Sequence, residues 1–160
     1  MRNYHIDTYY KDIKKLANTV QAYEEVKSEY LKWRPDYIIG VARGGLVPSV
    51  YLSHMLGIPM KAITWQLRDG DVKESIPLYY TTQILIVDDI NDSGNTFSEI
   101  IENIQMTNDL TDKAIKQNIK TAALWERSSS KFRVDFNAQK IDNNDWIIFP
   151  WELPPDASKE

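Results

Sequence analysis

An α/β architecture, with a central and mostly parallel sheet flanked by helices, is predicted because aliphatic runs bounded by polar residues alternate with helical patterns. Ile84-Leu85-Ile86-Val87 has no polar face, as expected of a strand covered on both sides. Tyr37-Ile38-Ile39-Gly40-Val41-Ala42 has the same character. Each run passes through a short loop of small or polar residues into a helical stretch, which is the succession that builds a parallel sheet.

In chain order, a first helix is expected over roughly Tyr10 to Lys32, where Ile13, Leu16, Val20 and Tyr23 recur at helical spacing and Pro35 lies just beyond. Lys11, Lys14 and Lys15 stand on it among Asp7, Asp12, Glu24 and Glu25, which describes a solvated face rather than a basic patch. After strand 37–42 comes a helix containing Leu46, Val50, Leu52 and Leu56. Pro48 suits its first turn and Gly57 its C-terminal stop. Met60 to Trp65 reads as the next strand. Gln66 to Tyr80 is polar, with Arg68, Asp69, Gly70, Asp71, Lys73 and Glu74, and a connection of that length in a compact domain tends to be a functional lid or disordered. Strand 84–87 leads to a helix whose apolar side is Phe97, Ile100, Ile101 and Ile104, and Ile119 to Glu126 supplies another core strand. Ser128-Ser129-Ser130 reads as a turn. Trp146 to Glu152 is too aromatic for an exposed tail, whereas Pro154 to Glu160 is expected to fray.

The chemistry is concentrated after strand 84–87. Asp88 and Asp89 fall at its carboxyl end, where open α/β sheets bind ligands. Asp92-Ser93-Gly94-Asn95-Thr96 then supplies hydroxyls, a glycine free to take positive φ, and successive backbone N–H groups opening a helix. Unpaired N–H groups and the helix dipole favour a phosphate there. Carboxylates repel a phosphate, so Asp88 and Asp89 should serve another part of the same ligand. A ribose cis-diol offers two donors to groups that only accept, so a 5-phosphorylated ribose would be held at both ends. Arg43-Gly44-Gly45, after strand 37–42, joins a permanent cation to two glycines and makes a plausible pyrophosphate cradle. The competing readings are helix caps and turn residues for the Asp pair and an ordinary strand-to-helix turn for the glycines.

The stretch from Ile84 to Thr96 resembles the phosphoribosyl pyrophosphate (PRPP) motif of type I phosphoribosyltransferases: hydrophobic strand, two acids, two variable residues, an acid, then Ser or Thr, Gly, a variable residue and Thr. Arg43 to Pro48 is similar to the Arg-Gly-Gly-Leu-Val-Pro run of the bacterial xanthine-guanine enzymes, and Trp146 to Glu152 to their Trp-Ile-x-x-Pro-Trp-Asp hood. The resemblance implies a single domain over 1–160, a lid at about 66–80 that closes over PRPP, and a small C-terminal hood at about 138–153. It implies ribose on Asp88 and Asp89, the 5-phosphate on Asp92, Ser93, Gly94, Asn95 and Thr96, and pyrophosphate on Arg43, Gly44 and Arg68. Trp146 would stack on the base and the Ile147 backbone would reach its edge. Arg127 occupies the place of a Lys that donates to a 6-oxo group, but its longer fork is not equivalent to an ammonium. Glu152 replaces an Asp, which leaves its contact with the base or the metal open. Mg²⁺ is the implied cofactor, near Asp88, Asp89 and Glu152 and in part indirectly held. Asp92 is the expected general base, with a helix cap as its alternative role. A homo-oligomer, dimer or tetramer, is the implied assembly.

The expected function is transfer of 5-phosphoribose from PRPP to guanine, xanthine or hypoxanthine in nucleotide salvage. The rivals are a phosphoribosyltransferase for adenine or a pyrimidine, a non-catalytic PRPP sensor, and an Mg²⁺-dependent phosphatase or receiver using Asp88 and Asp89. The last leaves the 93–96 loop unexplained. Neither Gly-x-Gly-x-x-Gly nor Gly-Lys-Ser/Thr occurs, which removes dinucleotide-binding and Walker-type sites.

Composition agrees with this reading. The 160 residues, 42% hydrophobic and 26% charged, suffice for one domain with a small appendage but not for a second full domain. A net charge of −4 argues against a nucleic-acid surface. Absence of cysteine excludes disulfides and thiolate metal sites, and His5 and His54 alone make a His-rich zinc site improbable. With neither a membrane-span pattern nor a secretory signal core, a cytoplasmic location is expected, so the Asn91-Asp92-Ser93 triplet would not meet the glycosylation machinery.

Overall fold

The computed structural model describes residues 1–26, 33–65, 76, 78, 79 and 81–152. Five strands, β2 (Tyr37–Ala42), β3 (Met60–Thr64), β4 (Ile84–Asn91), β5 (Ile119–Arg127) and β6 (Phe136–Ile141), form one sheet in the order β3-β2-β4-β5-β6, and all its pairs are parallel. Helices α1 (Ile6–Val26) and α2 (Leu46–Leu56) cover one face, while α3 (Asn95–Asn108) and α4 (Asp112–Asn118) cover the other. A separate parallel pair joins β1 (Arg2–Asn3) to β7 (Ile147–Ile148).

The period of two along a strand explains why β4 needed an unbroken aliphatic run. Leu85 and Val87 pack with Tyr9, Ile13, Leu16, Val20 and Leu52 on the first face, whereas Ile84 and Ile86 pack with Phe97, Ile100, Ile104 and Ile115 on the second. All four are fully buried. At roughly 1.5–3 kcal/mol for each large aliphatic side chain fully buried, this strand is a main anchor of both layers.

The first helix starts at Ile6 rather than near Tyr10, because Tyr9 is an inward anchor with rings of Tyr4, Tyr51 and Trp151 at 5.3–6.3 Å. Residues 27–32 of the expected helix lie outside the described residues. In α2 the inward side chains are Pro48, Ser49 and Leu52, while Val50 is exposed. Small Ser49 fits because Gly40 on β2 has no side chain to meet it. Gly57 caps α2 at φ 64°, its N–H donating to the Ser53 carbonyl.

Several elements were not anticipated. Helix α4 is capped by Thr111, whose hydroxyl accepts from Ala114 N at 3.3 Å, a cue present in the sequence. Strand β6 takes in residues 138–141, expected in the hood, because buried Phe136, Ala138 and Ile141 complete the sheet beside β5. Strand β4 continues past Val87 to Asn91, so Asp88 and Asp89 lie within its last half. The β1–β7 pair joins residues far apart in the chain, and no local pattern announces it. Among the described residues, no helix is long and apolar enough to cross a membrane.

Candidate active site

A cavity of about 880 Å³ opens beyond the carboxyl ends of β2 and β4, lined among others by Arg43, Gly44, Asp88, Asp89, Asp92, Gly94, Thr96, Trp146 and Glu152. A smaller one of about 400 Å³ adjoins it, sharing Asp92, Ser93 and Trp146 and adding Arg127, Ser129, Lys131 and Asn144. Two compartments thus meet at Asp92 and Trp146.

The loop after β4 has the geometry of an anion cradle. Gly94 adopts φ 90°, the left-handed region that glycine enters without steric cost, and caps α3. A side chain there would also be blocked, since a Cβ would come within 2.5 Å of Phe132 N. Ser93 Oγ accepts from Asn95 N at 3.3 Å, and Lys131 N donates to the Ser93 carbonyl at 3.1 Å. Gly94 and Thr96, at the N-terminus of α3, line the cavity, where the helix dipole favours an anion.

Asp88 and Asp89 are half-buried and line the larger cavity. Asp88 Oδ1 accepts from Asp89 N at 2.9 Å, and Asp89 Oδ1 from Ile90 N at 2.8 Å. Burial first, and then the neighbouring Asp89 charge, holds the Asp88 carboxyl well above its usual range. Burial likewise pushes Asp89 up to about 6, with the charge of Glu152 adding to it against opposing hydrogen bonds. Glu152 itself accepts from Phe149 N at 3.1 Å. Three acids thus share one corner in which burial favours proton uptake unless a cation or donors satisfy them. Among the described residues no group of three acids or histidines is close enough to hold a metal alone. An oxygen-rich corner nevertheless fits a hard divalent cation that brings its other oxygen ligands with a phosphate-bearing substrate.

The Arg43-Gly44-Gly45 turn follows β2 beside these acids, with Arg43 exposed and the Ala42–Arg43 peptide bond cis. Its glycines answer to the protein as well as to a ligand. A Cβ on Gly44 would run into the Asp89 carboxylate, and one on Gly45 would come within 2.8 Å of the Val87 and Val41 carbonyl oxygens and the Asp88 Cα. Arg68 lies outside the described residues, as does most of the 66–80 segment.

The hood is held from three directions. Arg2 N donates to the Trp146 carbonyl at 2.7 Å and Tyr4 N to the Ile148 carbonyl at 2.9 Å, so strand alternation turns the Ile147 amide to the opposite edge. Phe149 and Trp151 stack at 4.9 Å, and Phe149 meets the edge of Tyr4 at 5.7 Å; they are anchors of the core. Trp146 remains 64% exposed at the cavity rim. Arg127, the last residue of β5, donates to the Asp92 carboxylate, to the Asn143 carbonyl and, at 3.2 Å, to the Asp145 carbonyl. Its fork therefore ties the loop at Asp92 to the 143–145 segment. Ile147 is buried and Asn95 exposed, and neither lines these two cavities, while His54 is exposed on α2. Asn91, Glu126, Ser130 and Phe132, which brace the site from behind, were missed. Glu126 was the available cue, as an acid directly after the apolar run Ala122-Ala123-Leu124-Trp125 of β5.

A model of the phosphoribosyl transferase domain matches residues 7–158. The xanthine-guanine phosphoribosyltransferase of Cereibacter sphaeroides is 28% identical over 131 residues, covering 76% of this chain and 70% of that protein. A crystal structure of a purine phosphoribosyltransferase from Pyrococcus horikoshii superposes with a TM-score of 0.74 at 31% identity, over 96% of this chain and 95% of that one. The Helicobacter pylori xanthine-guanine-hypoxanthine phosphoribosyltransferase gives 0.72 at 25% identity, over 95% and 93%. This chain belongs to the phosphoribosyl transferase family, and it is an enzyme of phosphoribosyl transfer.

Proposed function

We propose that this phosphoribosyltransferase moves 5-phosphoribose from PRPP to a 6-oxopurine, guanine, xanthine or hypoxanthine, and releases pyrophosphate in nucleotide salvage. One observation carries the reading: a Gly94-centred anion loop and two acids line the same cavity as an exposed Trp146. The names of the bacterial xanthine-guanine and xanthine-guanine-hypoxanthine relatives support the choice of base.

In this mechanism the N–H groups at 93–96 hold the 5-phosphate, and Asp88 and Asp89 accept from the ribose hydroxyls. Arg43 and the Gly44 backbone stabilise the leaving pyrophosphate, helped by Arg68 from the lid. Mg²⁺ entering with PRPP, near Asp88, Asp89 and Glu152, would supply charge neutralisation on the pyrophosphate oxygens. As the C1–O bond to pyrophosphate breaks, a purine nitrogen forms the new C1–N bond and its proton passes to Asp92. Trp146 stacks on the base and the Ile147 backbone and Glu152 address its edge, while Arg127, expected to do the same, instead holds Asp92 and the hood carbonyls in place around it.

A second reading, transfer to adenine or a pyrimidine, draws on Arg127. Its donors are directed to Asp92 and to two hood carbonyls, which leaves the 6-position to other groups. Incubation with PRPP, Mg²⁺ and a panel of bases, followed by identification of the nucleotides, separates the two. Nucleotides of 6-oxopurines are expected. Products only from adenine or a pyrimidine would overturn the main reading, and tight PRPP binding with no product would favour a sensor.

A further inference from the structure

We propose that Glu126 is a positioning residue for the 5-phosphate loop, acting through the excursion of chain between β5 and β6; this rests on the reading of 92–96 as the 5-phosphate site. Glu126 is 2% exposed at the end of a parallel strand, and its neighbour in register on β4, Asn91, is 1% exposed. A carboxylate buried this deeply is sustained only by donors. Those donors are Val134 N at 3.0 Å, Asn91 Nδ2 at 3.4 Å and Asn137 Nδ2 at 3.2 Å, and the Lys140 ammonium adds an ion pair at 3.8 Å. Val134 lies on the excursion and Asn137 just beyond it, so Glu126 fixes where residues 128–134 return to the sheet.

The excursion in turn forms the back wall of the phosphate loop. Lys131 N donates to the Ser93 carbonyl at 3.1 Å, and Phe132 stacks on Phe97 of α3 at 5.6 Å. Phe132 N and Ser130 Oγ stand where a Cβ on Gly94 would be. Asn91 links the two halves: its Nδ2 donates to the Phe132 carbonyl at 2.8 Å, and its Oδ1 is 3.2 Å from Ser130 Oγ. One carboxylate thus sets the seat against which Ser93 and Gly94 rest. Among the described residues, the hydrogen bonds of this network run to the 128–134 excursion, β4 and β6 rather than to the Arg43 turn or Trp146.

The test compares wild type with Glu126→Gln and Ser130→Ala. Gln keeps the shape but turns one half of the head into a donor facing other donors. Affinity for ribose 5-phosphate and for pyrophosphate would be measured directly, with KM for PRPP and for the base. Glu126→Gln is expected to weaken ribose 5-phosphate and raise KM for PRPP by about tenfold, with pyrophosphate affinity and base KM held within about twofold. Ser130→Ala should move the same two constants by about threefold and decides the matter if the Gln variant does not fold. Lower melting temperatures with ribose 5-phosphate affinity unchanged would make the network purely structural and overturn the proposal. Wild type that binds pyrophosphate but not ribose 5-phosphate would instead overturn the reading of 92–96, and this proposal with it.

Discussion

Residues 84–97 reach the cavity as one uninterrupted piece of chain: a strand paired on both sides, a glycine turn and the first turn of a helix. The hood reaches the same cavity from the opposite wall as an assembly, with its strand paired to residues 2–3 and its carbonyls held by Arg127. The first wall is rigid because local sequence and sheet agree. The second depends on contacts between distant segments, some of them exposed. Under the proposed function, the first wall would hold the ribose phosphate and the second the base.

The largest effect is expected where the two walls touch. Asp92→Asn should lower kcat by about 10²–10⁴ with KM for PRPP little changed, because the amide keeps the shape but not the basicity. Retained turnover in steady-state assays would remove Asp92 as the base and leave it as the hood's tether. Gly94→Ala acts on the rigid wall alone. Strain at φ 90° and the clash with Phe132 should cost about 2–3 kcal/mol, read as a lower melting temperature, with PRPP binding weakened about 30-fold or more and base KM spared. Equal losses for PRPP and base would erase the distinction between the walls.

On the hood side, Trp146→Ala should raise base KM by about tenfold with no effect on ribose 5-phosphate affinity, since stacking is worth about 1–3 kcal/mol per base. A change in ribose 5-phosphate binding would mean that Trp146 serves the sugar. The smallest effect is pH-dependent. The Asp89 carboxyl is raised to about 6, and under the proposed function its ionised form accepts from the ribose hydroxyls. From pH 7.5 to 5.5 its ionised fraction falls about fourfold, and PRPP binding measured calorimetrically should weaken by the same factor. The empty protein responds in the opposite direction. A carboxyl whose folded pKa lies above its unfolded value binds more protons when folded, so this group's contribution to stability grows as pH falls through 6 toward 4. Asp89→Asn should flatten both profiles.

Local sequence patterns account for the sheet-borne half of the protein. The aliphatic runs of β2 and β4, the left-handed turn at Gly94, the stop at Gly57 and the inward faces of α1 and α3 follow from periods of 2 and 3.6 and from backbone sterics, which act over a few residues. Asp88, Asp89 and the 93–96 loop were legible for the same reason. What only the tertiary structure decided depends on partners remote in the chain: the β1–β7 pair, the burial of Glu126 against Asn91, and the anchoring of Tyr9. It also decided that Arg127 would grip Asp92 and the hood backbone. A long cation at a strand end can face solvent, substrate or protein, and its choice is set by carbonyls at Asn143 and Asp145 that local sequence cannot bring to it.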